Sequence, residues 1–280
     1  MNDATSFSKA LITGASSGIG QALAHRFAEQ GINLILHGRN EDRLMGVVNE
    51  LRDKVKVEWI TADLVDRRER KQLVQLIQEQ VPDLVVNNAG LGLYGDVLTH
   101  PTESWLDLHE LDTTALLELS VEAARSLVNA KKKGVILNVS SIAAFQPVPS
   151  MAVYAAAKEY VLMFSEGFDA EVRPYGVRVL CSCPGVVETR FQGRAALDVD
   201  SVQKRHAMMT PDFAAKDMWQ QIQSGQTIRV FDWRYRVACF FSKYISPRWL
   251  TNWMMKRAFS AQYQDRPLLP PNTMPKQEES

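Results

Sequence analysis

Short β-prone runs alternate with stretches of helical periodicity along most of the chain, and this alternation restricts the fold more than any other feature. The β-prone runs fall at 10–13, 33–37, 55–61, 84–87, 135–140, 177–183 and 227–230, and the helical stretches at 19–30, 41–51, 67–80, 102–130, 154–172 and 211–224. A helix between successive strands makes each connection a crossover, and such crossovers are right-handed. Repeated, they wind a parallel sheet with helices on both faces. No Pro/Ser-rich linker interrupts the series, so the sequence predicts one α/β domain built on a doubly wound, parallel, seven-stranded sheet.

Composition removes several other classes. With 46% hydrophobic and 23% charged residues among 280, the chain can bury a large core, and disorder is excluded for most of it. Lys plus Arg equals Asp plus Glu at 32 each, so no overall field gathers nucleic acid, and no nucleic-acid partner is expected. Cys181, Cys183 and Cys239 are too few for a disulfide framework and lack zinc-ligand spacing, which suits a reducing compartment and packing roles. No metal site is expected. Residues 1–9 are polar, and no apolar run reaches the roughly 18 residues that a membrane span needs. A cytoplasmic location is the expectation.

The turn after the first strand reads Thr13-Gly14-Ala15-Ser16-Ser17-Gly18-Ile19-Gly20. Three glycines there allow close backbone approach, and free N–H groups converge with the positive end of the helix dipole, so a dinucleotide pyrophosphate is the natural occupant. Tyr154 and Lys158 stand four apart on one predicted helix and share a face. A lysine ammonium there favours tyrosinate and is expected to bring the phenol's pKa from about 10 toward neutral, making Tyr154 an acid/base for a carbonyl or alcohol oxygen. Ser141 ends the fifth strand at the sheet edge that hosts ligands, where its hydroxyl can bond the substrate oxygen. Strand alternation turns the neighbouring Ser140 elsewhere.

The pattern Gly14-x3-Gly18-x-Gly20, then Asn87-Asn88-Ala89-Gly90, Ser141, Tyr154-x3-Lys158 and Pro184-Gly185-x3-Thr189, resembles the short-chain dehydrogenase/reductase family from residue 9 to about 230. The resemblance implies a Rossmann-like fold and a nicotinamide cofactor held by Gly14, Ser16, Ser17, Gly18, Ile19, Gly20, Asn88, Ala89 and Gly90. Tyr154 and Lys158 would also touch it. It further implies that Asp63 lies near the adenine ring and that Asn87 braces the fourth strand. Pro184, Gly185, Val187 and Thr189 would hold the nicotinamide carboxamide. Where the family usually carries a catalytic Asn on the preceding long helix, this chain has Asp112. Asp keeps an acceptor, loses the amide donor and, as an anion, can pair with Lys158 and alter the tuning of Tyr154. A purely structural carboxylate is the other reading of that position.

Coenzyme choice is read from His37-Gly38-Arg39-Asn40 at the end of the second strand. NAD enzymes place a carboxylate there for the ribose hydroxyls, whereas Gly38 followed by Arg39 offers a cation to a 2′-phosphate, so NADP(H) is expected. Residues 190–210 occupy the family's lid, and Phe191, Met208, Phe145 and Val148 form either an apolar pocket or core. The reading is an NADPH-dependent carbonyl reductase for a ketone or 3-oxoacyl-type substrate, or the reverse reaction. The contrasting reading is an NADP(H)-binding redox sensor or assembly module. Surplus apolar positions on helices 102–130 and 154–172 predict a homodimer or homotetramer. The predicted divisions are a catalytic domain at 1–230, an amphipathic helical extension at 231–265 and a disordered tail at 266–280. Within 229–257, seven basic residues face one acid, Asp232, beside Trp233, Trp249 and Trp253. Helices near 235–244 and 247–259 would cover the substrate or an interface, or make peripheral contact with an anionic membrane.

Overall fold

The computed structural model describes residues 7–95, 97–188, 208–247, 249, 250, 253 and 257. Strands β1 (Lys9–Ile12), β2 (Asn33–Gly38), β3 (Val57–Thr61), β4 (Leu84–Asn87), β5 (Gly134–Val139), β6 (Val177–Cys183) and β7 (Ile228–Val230) alternate with helices α1 (Gly18–Glu29), α2 (Glu41–Leu51), α3 (Arg67–Gln80), α4 (Thr102–His109), α5 (Leu116–Asn129), α6 (Ala152–Val172) and α7 (Pro211–Ser224). Helix α8 (Trp233–Phe240) follows the last strand. The sheet order is β3-β2-β1-β4-β5-β6-β7, and every pair is parallel. This is the doubly wound, Rossmann-like single domain that the alternation predicts. The order reverses between β1 and β4, which opens a crevice beyond their carboxyl ends.

Burial follows from the layers. All of β4 and β5 is buried, as expected of central strands covered on both faces. Along β1 the side chains alternate: Ala10 and Ile12 join the core with Leu23, Phe27 and Met218, while Leu11 joins Leu73, Ile77 and Leu119 on the opposite face. Helix starts obey local chemistry. The Asn40 side chain accepts the Arg43 N–H, Asp66 caps α3, and Thr210 with Pro211 opens α7.

Most element ends fall within one or two residues of the sequence reading, and two departures have a clear physical cause. Strand β3 starts at Val57 because the Lys54 and Val55 N–H groups bond the Leu51 carbonyl and close the turn after α2. The helix expected over 102–130 is interrupted by a π-helical segment, Glu110–Ala115, between α4 and α5. The buried Thr113 hydroxyl donates to the His109 carbonyl at 2.5 Å, competing with the ordinary ladder where the coil widens. The buried Arg70 fastens this segment, pairing with Glu110 at 2.8 Å and Glu118 at 2.6 Å and donating to the Leu64 carbonyl. Residues 266–280, expected as a disordered tail, lie outside the described residues.

Candidate active site

A groove of about 710 Å³ runs along the crevice from the glycine turn to Val187. Gly14 and Gly18 have φ of +67° and +59°, a region that L side chains rarely adopt. Gly20 does not line the groove. A Cβ on it would collide with the Gly14 carbonyl and meet Asn88 Nδ2 at 2.7 Å, so its role is to let α1 pack under the turn. The Asn88 amide donates to the Thr13 carbonyl at 2.9 Å, and Thr13 Oγ1 accepts the N–H groups of Asn88 and Ala89. The turn and the end of β4 are thereby one rigid cradle. N–H groups at the start of α1 fit a pyrophosphate, and Gly14 lets the turn pack on the residues after β4, since a Cβ on it would stand 3.0 Å from Ala89 Cα and Asn88 Nδ2.

At the other end, a Cβ on Gly38 would stand 3.2 Å from the Ser16 side chain, a tight fit against the glycine turn at the place where NAD enzymes carry a carboxylate. Arg39 Nη1 lies 3.3 Å from Asp63 Oδ2, both half exposed. Arg43, which sequence reasoning missed, also lines the groove. Its signal was available: it occupies the first turn of the helix that follows Gly38-Arg39-Asn40. His37 was missed as well. Its Nε2 meets the Ala62 carbonyl at 3.0 Å, while its buried Nδ1 has no protein partner.

Burial lowers the His37 pKa from 6.5 to about 4. Because the unfolded chain then binds the proton more tightly, stability is full above pH 6.5 and falls as pH drops from 6.5 toward 4, by about 3 kcal/mol at the lower limit. His37→Gln should flatten this part of the curve of melting temperature against pH. An unchanged slope would show that other groups cause the acid loss.

The catalytic candidates meet at the middle of the groove. Ser141 follows β5, and its hydroxyl accepts the Ala143 N–H at 3.1 Å, which fixes its rotamer. Ser140 turns inward, as alternation requires, and donates to the Lys158 carbonyl at 2.7 Å. Tyr154 is hydrogen-bonded to the Ser141 side chain. Lys158 Nζ lies 5.5 Å from the Tyr154 ring centroid, 3.0 Å from Asp112 Oδ2 and 3.3 Å from the Val139 carbonyl. Asp112 sits in the π segment, and its Oδ1 accepts the Leu91 N–H at 2.7 Å. Gly90 leaves room for this pair, since a Cβ there would stand 3.3 Å from Asp112 Oδ1 and 3.5 Å from Lys158 Nζ. Asp112 does not line the groove and acts from behind Lys158.

One expectation is corrected. Tyr154 is not brought toward neutral by Lys158: burial pushes its pKa above 10, and although Lys158 and the Ser141 hydrogen bond favour the phenolate, Asp112 opposes them. Lys158 itself is held above its ordinary range, because Asp112 and Tyr154 outweigh its burial. Burial raises the Asp112 carboxyl while Lys158 draws it back.

Pro184, Gly185 and Val187 also line the groove. The Pro184 carbonyl accepts the Ile142 N–H at 3.0 Å, and Val187 pairs with Met209 in a parallel bridge. Thr189, Phe191 and nearly all of the expected lid lie outside the described residues. Met151, Ala143 and Leu111, unmarked in the sequence, add apolar wall near Ser141, whereas Phe145 packs with Val161 and Leu162.

The family model described as short chain dehydrogenase matches residues 8–200, and the chain belongs to the short-chain dehydrogenase/reductase family, oxidoreductases that use a nicotinamide cofactor on alcohol and carbonyl groups. An uncharacterized oxidoreductase of Staphylococcus aureus strain MW2 is 32% identical over 183 residues, covering 64% of this chain and 78% of that protein. A Sphingobium yanoikuyae short-chain dehydrogenase, solved in complex with NADPH, superposes with TM-score 0.77 at 28% identity, over 94% of this chain and 98% of that one. The bulky-bulky ketone specific alcohol dehydrogenase of Comamonas testosteroni gives 0.73 at 26%, over 95% and 98%. Among the described residues no helix is long and apolar enough to cross a membrane.

Proposed function

We propose that the chain is an NADPH-dependent carbonyl reductase acting on a bulky, largely apolar ketone or 3-oxoacyl compound, or on the matching alcohol in reverse. The observation that carries this reading is one groove lined by the Ser141–Tyr154–Lys158 cluster and by Arg39 and Arg43, at the end where Gly38 supplies no carboxylate to repel a phosphate. The NADPH of the Sphingobium structure and the ketone named for the Comamonas enzyme support coenzyme and substrate class.

The cofactor, when bound, supplies hydride to the carbonyl carbon. Ser141 and Tyr154 hold the carbonyl oxygen, and the Tyr154 hydroxyl gives it a proton as negative charge develops. Lys158 stabilises the phenolate that results, and apolar neighbours such as Met151 keep water from the reacting atoms. Exposed Tyr160 and Met163 on α6 support association of two copies through that helix.

Coenzyme oxidation is to be followed with ketones of graded bulk. Arg39→Ala should raise the KM for NADPH by about 10- to 150-fold, the loss of one charge-assisted phosphate contact, and leave that for NADH nearly unchanged. Equal losses would remove Arg39 from the 2′-phosphate. Tight NADPH binding without turnover of any carbonyl would favour the redox-sensor reading.

A further inference from the structure

The outer face of α8 is apolar. Trp233, Val237, Phe240 and Phe241 recur at helical spacing and are 68%, 47%, 53% and 52% exposed. A π-helical segment, Phe241–Ile245, extends the helix and carries the stripe on to Ile245, with Trp249 and Trp253 beyond it, at 56%, 71% and 54%. The inner face is already used: Tyr235 packs on Gly185, Cys239 is buried, and the Ser242 hydroxyl reaches the Phe145 carbonyl. An ordinary surface helix turns its stripe inward, and this one turns a second stripe outward.

Charge selects what covers it. Between 233 and 257 the sequence has six Lys or Arg and no Asp or Glu. The nearest carboxylate, Asp232, is committed to the Arg234 N–H as helix cap at 2.9 Å. Arg229, expected among the surface cations, is removed from that set by two 2.7 Å bonds to Asp217. Arg234 and Arg257 lie 5.9 and 5.5 Å from the rings of Trp233 and Trp253, so cations border the apolar stripe. A second copy docked through the same face would set these cations against their own kind. A nucleic acid would leave Val237 and Ile245 without apolar cover. Tryptophans at the edge of an apolar, cation-bordered stripe suit the boundary between headgroups and acyl chains.

We propose that α8 and its extension rest on an anionic lipid bilayer, lying in the interface with Trp233, Phe240, Phe241 and Trp249 turned toward the acyl chains. Through Tyr235 on Gly185 and Ser242 on Phe145, this places the mouth of the groove beside the membrane surface.

The test uses the full chain with vesicles of equimolar phosphatidylglycerol and phosphatidylcholine, and with phosphatidylcholine alone, at low and high salt. Sedimentation with the anionic vesicles and a blue shift of tryptophan emission are expected, both weakened by salt. Exchanging Trp233, Phe240 and Phe241 together for Ser should weaken binding about tenfold or more. Arg234→Gln with Arg257→Gln should weaken it about fivefold per charge and reduce its salt dependence. A full chain that stays in the supernatant without an emission shift would overturn the proposal, as would binding unaffected by both sets of exchanges. So would a wild-type dimer that the triple exchange converts to monomer. If the triple variant does not fold, the wild-type emission shift, present or absent, decides.

Discussion

Tyr154→Phe is expected to lower carbonyl turnover by about 10²- to 10⁴-fold while NADPH binding changes little. The phenol is buried among Ser141, Lys158 and the apolar wall, and removing one oxygen leaves the ring and its packing in place. What disappears is the proton donor for the carbonyl oxygen. The measurement is a paired one, single-turnover rate against coenzyme affinity by fluorescence titration. A fall in both alike would mean that Tyr154 holds the coenzyme more than it transfers a proton. A variant with nearly normal turnover would shift the acid role to another group on the groove.

Asp112 produces the second large effect, and it has two faces. Asp112→Leu strands the buried Lys158 ammonium without its counter-charge, which costs about 3 to 5 kcal/mol of stability and should appear as a large drop in melting temperature. Asp112→Asn keeps an acceptor for the Leu91 N–H, turns an amide NH2 toward Lys158 in place of Oδ2, and removes the negative charge that opposes the phenolate. The Tyr154 pKa then falls. In the direction of carbonyl reduction the tyrosine must be protonated, so the alkaline limb of the kcat–pH profile should move down by about one pH unit, equivalent to about 1.4 kcal/mol. In the direction of alcohol oxidation, the rise with pH should start lower by the same amount. A profile that stays in place would leave Asp112 as a buttress for Leu91 alone.

The fold was legible because burial on both faces gives each strand a short apolar run, and because Asn40, Asp66 and Thr210 mark their helix starts in local chemistry. Ser141 could be separated from Ser140 because a strand repeats every two residues. The π segment could not be seen. Trp105, Leu108, Leu111, Ala115 and Leu119 fit one continuous apolar face, and a widened turn changes which residue pairs with which without disturbing that pattern. Arg70 was not singled out, since its helix is rich in charge and its partners Glu110 and Glu118 come from elements 40 and more residues away. Arg43 and His37 were missed for a related reason. A helix's first turn and a strand's carboxyl end face a ligand only once the sheet edge is assembled. The direction of the Tyr154 pKa was misjudged because sequence spacing supplies the neighbouring Lys158 and says nothing of desolvation.

The position of β1 beside β4 also governs how the molecule acquires its groove. The partnership of Ala10 with Leu84 closes a loop that contains two complete strand–helix units, and such a closure must be completed before its contacts repay the entropy lost. The glycine turn lies on one side of that seam and Asn88, Ser141 and Tyr154 on the other. A growing or truncated chain ending before β4 therefore owns the glycine motif and no dinucleotide site. Coenzyme recognises only the product of this long-range step, so it holds the assembled chain together and slows unfolding without hastening the search that precedes it.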